Sequence, residues 1–407
     1  MTGSLGSNFW RLVVSSGLSN LGDGTFKVAL PLVAVGLTRS PGLIAGLTVA
    51  VTLPWLLFAL PAGAFADRLD RRRVMVGADA ARAALLTALV AGVLAGVDSI
   101  WLLYAVALCV GVAETLYDTS AQSILPQVVA HDLLPRANAR LYAVELTANE
   151  FIGPALAGLM VTAATAVAFG TPAALWACAV AALLLVRGSF RARRGPRTTV
   201  RADIAEGLRF LWRNRLLRTL AVMVGVSNFT QSAVMAVLVL YVVGPESGMK
   251  LPVQSYGILL ATFAAGSLAG SFAAGWVQRT LGRAGSLSLS IVTRALPFVV
   301  LALTANPYLA GATFFLSGAT NMVWNIITVS LRQRITPDHL LGRVNSGYRL
   351  VAWGSLPLGA AAGGLLADLL GLRTVFAVMA VLTLALLAGM AIVTDDRMNA
   401  AERQRSG

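Results

Sequence analysis

Charge is what this sequence has least of. Of 407 residues only 12% are Asp, Glu, Lys or Arg, against 57% that are apolar, where a soluble domain carries roughly 25% charged residues. There is too little polar surface here for a soluble globular enzyme, and too much apolar surface for a disordered chain or a coiled coil. The two lysines, Lys27 and Lys250, stand in no G-x-x-x-x-G-K-[ST] pattern, so ATP-driven pumping by this chain is not expected. The two histidines, His131 and His339, fall in expected loops, which speaks against a haem or histidine-metal site. Cys109 and Cys178 each lie inside an apolar run and support neither a disulfide framework nor a zinc cluster. No nucleophile–base motif suggests an enzyme. No metal and no cofactor are expected.

What is present is a series of long apolar segments. Twelve can be read, starting near Trp10, Leu43, Val74, Ile100, Asn138, Thr171, Thr219, Gln254, Ser286, Pro307, Val344 and Arg373. Each is long enough for a helix that crosses a bilayer, about 20 residues. Turn-forming or charged residues separate them, among them Ser40-Pro41-Gly42, Asp67 to Arg73, Gly170-Thr171-Pro172, Arg279 to Gly285 and Pro337 to Arg343. The residues before Trp10 lack the basic cluster of a cleaved signal, and the stretch from Trp10 to Thr38 reads as a first membrane helix.

The net charge of +14 could point to a nucleic-acid partner, but its distribution points to topology. With the N-terminus in the cytoplasm, twenty-five arginines fall on the cytoplasmic side and only Arg39, Lys250 and Arg373 on the other. That asymmetry is the positive-inside pattern, and an even helix count returns the C-terminus to the cytoplasm. A multi-pass protein of the plasma membrane with both termini inside is therefore predicted, with lipid rather than nucleic acid as its surroundings. The longest polar stretch, Arg187 to Arg218, lies near the middle. It begins as a basic linker and continues with Ile204, Leu208, Leu211 and Trp212 on one helical face, an amphipathic helix expected to lie along the membrane surface. The predicted domains are thus an N-terminal bundle (1–190), a linker (191–217) and a C-terminal bundle (218–407).

Leu133-Leu134-Pro135-Arg136-Ala137-Asn138 matches Leu340-Leu341-Gly342-Arg343-Val344-Asn345 at four positions, at an offset of about half the chain. A duplicated six-helix unit leaves such a trace. Between the second and third segments stands Gly63-Ala64-Phe65-Ala66-Asp67-Arg68-Leu69-Asp70-Arg71-Arg72-Arg73. A carboxylate beside a basic cluster in so short a turn can form and release an ion pair or a helix cap between two states, or can simply be a solvated turn. In the fifth segment, Asn149-Glu150-Phe151-Ile152-Gly153-Pro154-Ala155-Leu156-Ala157-Gly158 combines a helix-bending proline with small residues that allow close packing.

These two motifs resemble those of the major facilitator superfamily. Gly63, Ala66, Asp67, Arg68, Arg71 and Arg72 match its G-x-L-a-D-r-x-G-r-k signature, with Asp70 in place of the second glycine. Gly153, Pro154 and Gly158 match its antiporter motif. Leu21-Gly22-Asp23-Gly24, Tyr117-Asp118, and Leu341 to Ser346 are similar to drug-exporter branches that include macrolide-efflux proteins and the enterobactin exporter. The resemblance implies an all-α membrane fold of two six-helix bundles, a gating role for Gly63, Asp67, Arg68, Arg71 and Arg72, and export against a counter-flow of protons. Many proton-coupled exporters carry an arginine in the fourth helix; Ile100 to Gln122 contains none.

Ionisable groups within spans are costly and are either paired or functional. Asp23 and Lys27 are spaced i, i+4, which suits an internal pair or a proton site tuned by the lysine. Asp79 and Arg82 suit a local pair. Glu114 and Asp118 share a face, and two like carboxylates disfavour double ionisation, as a proton carrier requires. Glu145 and Asn149 share a face of the fifth segment, with Glu150 about 140° round. Proton coupling is therefore assigned as an expectation to Asp23, Glu114, Asp118, Glu145 and Glu150. Asn149, Asn228, Gln231, Asn321, Trp324, Asn325 and Thr328 are candidate cavity-lining residues, with interhelical hydrogen bonding as the alternative. Arg294 and Arg349 add buried positive charge. The reading is a monomeric secondary transporter that exports a bulky hydrophobic or amphipathic molecule by alternating access, driven by the proton gradient. Uptake by proton symport on the same fold, or a membrane protein that does not transport, are the alternatives.

Overall fold

A computed structural model describes residues 5–130, 133–188, 190, 200–244 and 247–406, with the side chains of 59–68, 135, 200–204, 338, 339, 341, 342, 346 and 404–406 outside the described part. The described residues are almost wholly helical. In chain order the helices are α1 (Gly6–Leu37), α2 (Pro41–Arg68), α3 (Arg71–Leu94), α4 (Ile100–Val128), α5 (Leu134–Leu146), α6 (Gly153–Ala163) and α7 (Thr165–Leu184). They continue with α8 (Val200–Arg213), α9 (Arg215–Val242), α10 (Val253–Leu303), α11 (Pro307–Ile335), α12 (Asp338–Leu370), α13 (Leu372–Ala385) and α14 (Asp395–Ser406).

Nine helices among the described residues are long and apolar enough to cross a membrane. The expected segments outside those nine are helical but differ in form. α1 carries Asn20, Asp23 and Lys27 in mid-helix. The fifth is broken: a π-helical turn, Thr147–Ile152, joins α5 to α6. The eighth and ninth run together as α10, where Gly282 adopts φ 70°, ψ 176° and turns the chain, a conformation that costs glycine nothing. One expected boundary is corrected. The break placed at Gly170-Thr171-Pro172 falls instead at Ala164, which is fully extended (φ −174°, ψ 153°). α7 runs on through Pro172. A proline is tolerated inside a membrane helix when its neighbours re-satisfy the freed backbone groups.

The chain forms two compact units. The first comprises Met1–Arg39, Ala50–Pro196 and Pro252–Ala261; the second comprises Ser40–Val49, Arg197–Leu251 and Thr262–Gly407. The first is centred on Phe9, Leu12, Met75, Tyr117, Ile124 and Leu183. The second is centred on Leu211, Leu217, Leu287, Leu331, Val344 and Val393. Beside its apolar core the first unit also buries charges, and both units expose large apolar side chains. Asp23, Asp79, Arg82 and Glu114 are buried, whereas Leu94, Trp101, Phe272 and Leu303 stand on the surface. This inversion suits a surface that meets hydrocarbon, where every polar group must be satisfied internally.

The linker helix α8 packs against protein and not only lipid. Leu211 is fully buried in the second unit's core, Gly207 lies so close to the Arg343 carbonyl that a Cβ would not fit, and Glu206 pairs with Arg343. Sequence amphipathicity marks the apolar face but not what covers it; here much of it covers α12, while Trp212 stays half exposed.

Candidate functional site

The first unit holds a charge cluster built on α1. That helix turns Ser15, Ser16, Ser19 and Asp23 inward. Asp23 does not bond to Lys27, as its i, i+4 spacing had suggested. Its Oδ1 accepts from Arg82 Nη1 of α3 at 2.5 Å and from Trp176 Nε1 of α7 at 3.1 Å. Arg82 also pairs with Asp79, one turn earlier on α3, and donates to Ser19 Oγ at 3.0 Å. Ser19 Oγ in turn donates to Asp79 Oδ1 at 3.1 Å. The Arg82 guanidinium is fully buried and lies 4.9 Å from the centroids of both Tyr117 and Trp176, within cation–π range.

Lys27 reaches across to α4, where its Nζ donates to Glu114 Oε1 at 2.8 Å. Glu114 is therefore held by a cation on another helix. Asp118, one turn on, is half-buried. Four carboxylates (Asp23, Asp79, Glu114 and Asp118) thus share one region with two cations (Lys27 and Arg82). The buried arginine that α4 lacks is supplied by α3.

The other two expected proton sites lie along α5 and the π-turn. Glu145 Oε1 accepts from Ser16 Oγ of α1 at 2.9 Å. Glu150 is exposed on its unit. The π-turn follows from Pro154, whose missing N–H and bulky ring break the regular ladder one turn earlier; Gly153 N–H instead reaches back to Ala148 O. At this point α1 and α6 touch backbone to backbone. A Cβ on Gly153 would stand 2.7 Å from the Gly24 carbonyl carbon, and one on Gly24 would overlap the Asn149 carbonyl oxygen. Asn149 thus contributes its main chain to a helix contact. A Cβ on Gly158 would lie 3.3 Å from the Gln254 carbonyl oxygen and 3.7 Å from Gly257 Cα.

The second unit holds a partly open cavity of about 300 Å³ lined by α9, α10, α11 and α12. Asn228, Asn321, Trp324, Asn325 and Thr328 line it together; Gln231 does not. Arg294 of α10 also lines it and donates to Asn321 Oδ1. Asn228 Nδ2 donates to Ala352 O at 2.7 Å, which ties α9 to α12. Among the lining residues missed in the sequence are Arg332, Tyr348 and Trp353. Arg332 was counted among the cytoplasmic cations, yet its guanidinium lies 4.0 Å from the Tyr348 centroid on the cavity wall. The available signal was its i+4 spacing from Thr328, which continues the polar stripe of α11. Arg349, the other expected buried cation, stacks 4.2 Å over Trp353.

Of the five gating-loop residues, the side chains of Gly63, Asp67 and Arg68 lie outside the described residues. The other two bind backbone. Arg71 Nη1 donates to Ser123 O at 2.6 Å, and Arg72 donates to Leu183 O and Leu184 O at 2.9 and 2.8 Å. Arg11 adds a bond to Leu185 O at 2.9 Å. Cations on the last carbonyls of α7 answer both its unsatisfied acceptors and its dipole. Asp70, where the superfamily signature has glycine, caps α3 at Arg73 N and accepts from Phe190 N at 2.9 Å.

The whole chain, not only these motifs, has known relatives. Residues 6–406 match the model of the family described as transmembrane secretion effector. The multidrug efflux pump Tap of Mycobacterium tuberculosis is 31% identical over 382 residues, covering 88% of this chain and 87% of that protein. The Tap pump of Mycolicibacterium fortuitum is 28% identical over 371 residues, covering 87% and 88%. Among solved structures, the nucleoside transporter NupG superposes with a TM-score of 0.74 at 15% identity, over 94% of this chain and 99% of that one; at that identity it speaks for the fold alone. The buried charges, the lipid-facing exterior and an end-to-end family match lead to one assignment: this chain belongs to the transmembrane secretion effector family of major facilitator transporters.

Proposed function

We propose that the protein exports a bulky hydrophobic or amphipathic small molecule from the cell in exchange for protons. The observation that carries the export reading is the likeness, along almost the entire chain, to two multidrug efflux pumps. Proton coupling is supported by the first unit's charge cluster. Four carboxylates against two cations leave an excess of negative charge in a low-dielectric interior, which binding protons would relieve. Glu114 is the coupling residue this arrangement favours, because protonating it frees Lys27 and gives the cluster two arrangements. A ligand or proton moves a transporter only through different affinities for its two states.

In this reading the chain crosses the membrane twelve times, as two six-helix halves with both termini in the cytoplasm. To the nine apolar spans are added α1, the α5–α6 pair and the second limb of α10. The protein acts as a monomer in the plasma membrane, with the proton gradient as its energy source. Asp118, Glu145 and Glu150 are secondary candidates for the proton path. Gly63, Asp67, Arg68, Arg71 and Arg72 form the gate on the cytoplasmic side.

The test is accumulation of several fluorescent or antibiotic compounds in a pump-deficient bacterial host, with and without a protonophore. Glu114→Gln, Glu145→Gln and Asp23→Asn are compared with wild type at matched expression. Lowered accumulation that the protonophore abolishes, lost in Glu114→Gln, is the expected result. Raised accumulation in cells expressing the wild type would overturn export in favour of uptake. Lowered accumulation that persists under protonophore would overturn proton coupling.

A further inference from the structure

We infer that the cavity in the second unit is a subsite for an acidic group on the transported molecule, with a flat apolar ring system packed beside it. Two guanidinium groups, from Arg294 and Arg332, line a space of about 300 Å³ that holds no carboxylate among its described lining residues. In the first unit's charge cluster the buried cations are matched by carboxylates. Arg82 has Asp23 and Asp79, and Lys27 has Glu114. Here Arg294 has only the neutral amide of Asn321. Arg332 lies over the Tyr348 ring, and its Nε is buried without a hydrogen-bond partner among the described residues. A partly buried cation with no carboxylate among the described lining residues is short of charge compensation. Two such cations around one cavity are what a site evolved to receive an anion requires, because the ligand completes the pairing.

The geometry also names the kind of anion. Guanidinium forks suit planar carboxylates and other oxyanions with two oxygens to offer. Trp324, Tyr348 and Trp353 put aromatic rings in the same lining, with Arg332 over Tyr348 and Arg349 over Trp353, and aromatic walls favour flat apolar bodies. Asn228 and Asn325 leave polar edges at the same site. The ligand class is therefore an organic acid with an aromatic or fused-ring body. Calling that ligand a substrate rests on the export reading above; the binding itself does not.

Purified full-length protein in nanodiscs of phosphatidylcholine, which offers no anionic headgroup, is titrated with 1-naphthaleneacetate and with its neutral isostere 1-naphthaleneacetamide by calorimetry. Charge-assisted bonds to two arginines should favour the acid by about tenfold or more. In Arg294→Gln and Arg332→Gln the preference for the acid over the amide should fall to within about twofold. Arg294→Lys keeps the charge and should retain a clear preference for the acid. Equal affinity for acid and amide in the wild type overturns the inference. So does a preference that survives in both glutamine variants, or one lost equally in the lysine variant. Export of neutral compounds without acid-selective binding would sink this inference and leave the export reading intact. Acid-selective binding without export would do the reverse.

Discussion

Replacing Arg82 by leucine tests the first unit's cluster most sharply. Arg82 is fully buried, and its removal leaves Asp23 and Asp79, both buried, without the cation they share. Trp176 still donates to Asp23 and Ser19 to Asp79, so one carboxylate can remain ionised and the other must take up a proton. At pH 7 that proton costs about 1.4 kcal/mol for each of the roughly three pH units above the ordinary carboxylate range, or about 4 kcal/mol. The figure agrees with the ~3–5 kcal/mol seen when one partner of a buried pair is removed. The sign of the pH dependence follows. The folded variant holds a proton that its unfolded chain does not at pH 7, so lowering the pH favours the fold. Between pH 7 and pH 5 the deficit should shrink by about 2.7 kcal/mol.

Equilibrium unfolding of the purified variant in mild detergent, at both pH values and against wild type, measures each quantity. Asp79→Asn or Asp23→Asn added to Arg82→Leu should restore most of the lost stability at pH 7, because each removes the charge that needs the proton. A deficit below about 1 kcal/mol at pH 7, or the same deficit at pH 5, would refute the claim that these three side chains form one buried electrostatic unit.

Breaking the Lys27–Glu114 pair from one side, with Lys27→Met or Glu114→Gln, should abolish proton-driven export in both cases. The double variant should recover stability in thermal unfolding but not transport, since the charge that moves is gone. Gly153→Ala places a methyl against the Gly24 backbone and should cost about 1–3 kcal/mol, whereas Gly36→Ala meets open space and should change the melting temperature little. Asp395 accepts from both Arg283 N and Ala284 N at the turn in α10, and Met398 of α14 is fully buried. Asp395→Ala should therefore loosen α14, read as faster tryptic cleavage at Arg397 and Arg403 in a folded protein; unchanged cleavage would mean that Glu402 and Met398 hold the helix without it.

Much of the fold was legible because a membrane imposes its own arithmetic on sequence. Segment length, turn residues and the placement of arginine each carry a signal that needs no knowledge of packing. The motifs were equally plain, since Gly153-Pro154 announces a bend by covalent geometry. The form of that bend was not legible: a proline fixes where the ladder fails, but not that the chain widens there into the π-turn Thr147–Ile152. The boundary near Pro172 failed for a related reason, because a proline stops a helix in water more firmly than in a packed bundle.

The partner choices mark where sequence spacing stops being informative. Asp23 and Lys27 lie on one face of α1, and spacing alone makes them each other's natural partners. In the folded chain each turns to a different helix, Asp23 to α3 and Lys27 to α4. The i, i+4 pair on an isolated helix is worth only a few tenths of a kcal/mol, far less than leaving Arg82 or Glu114 buried without an opposite charge. The stronger demand therefore sets the pairing, and it comes from residues 59 and 87 positions away. The same logic runs in reverse in the second unit. There the described lining of the cavity offers no carboxylate to answer Arg294 of α10 and Arg332 of α11, and no local pattern distinguishes such a cation from one that merely marks a loop end. The place of Arg332, in the last turn of α11, on the cavity wall was missed for that reason. Only the assembled walls of the cavity separate a topological arginine from one that waits for a ligand, which is why the acid-selective binding measurement bears on Arg294 and Arg332 directly and on the cytoplasmic cations not at all.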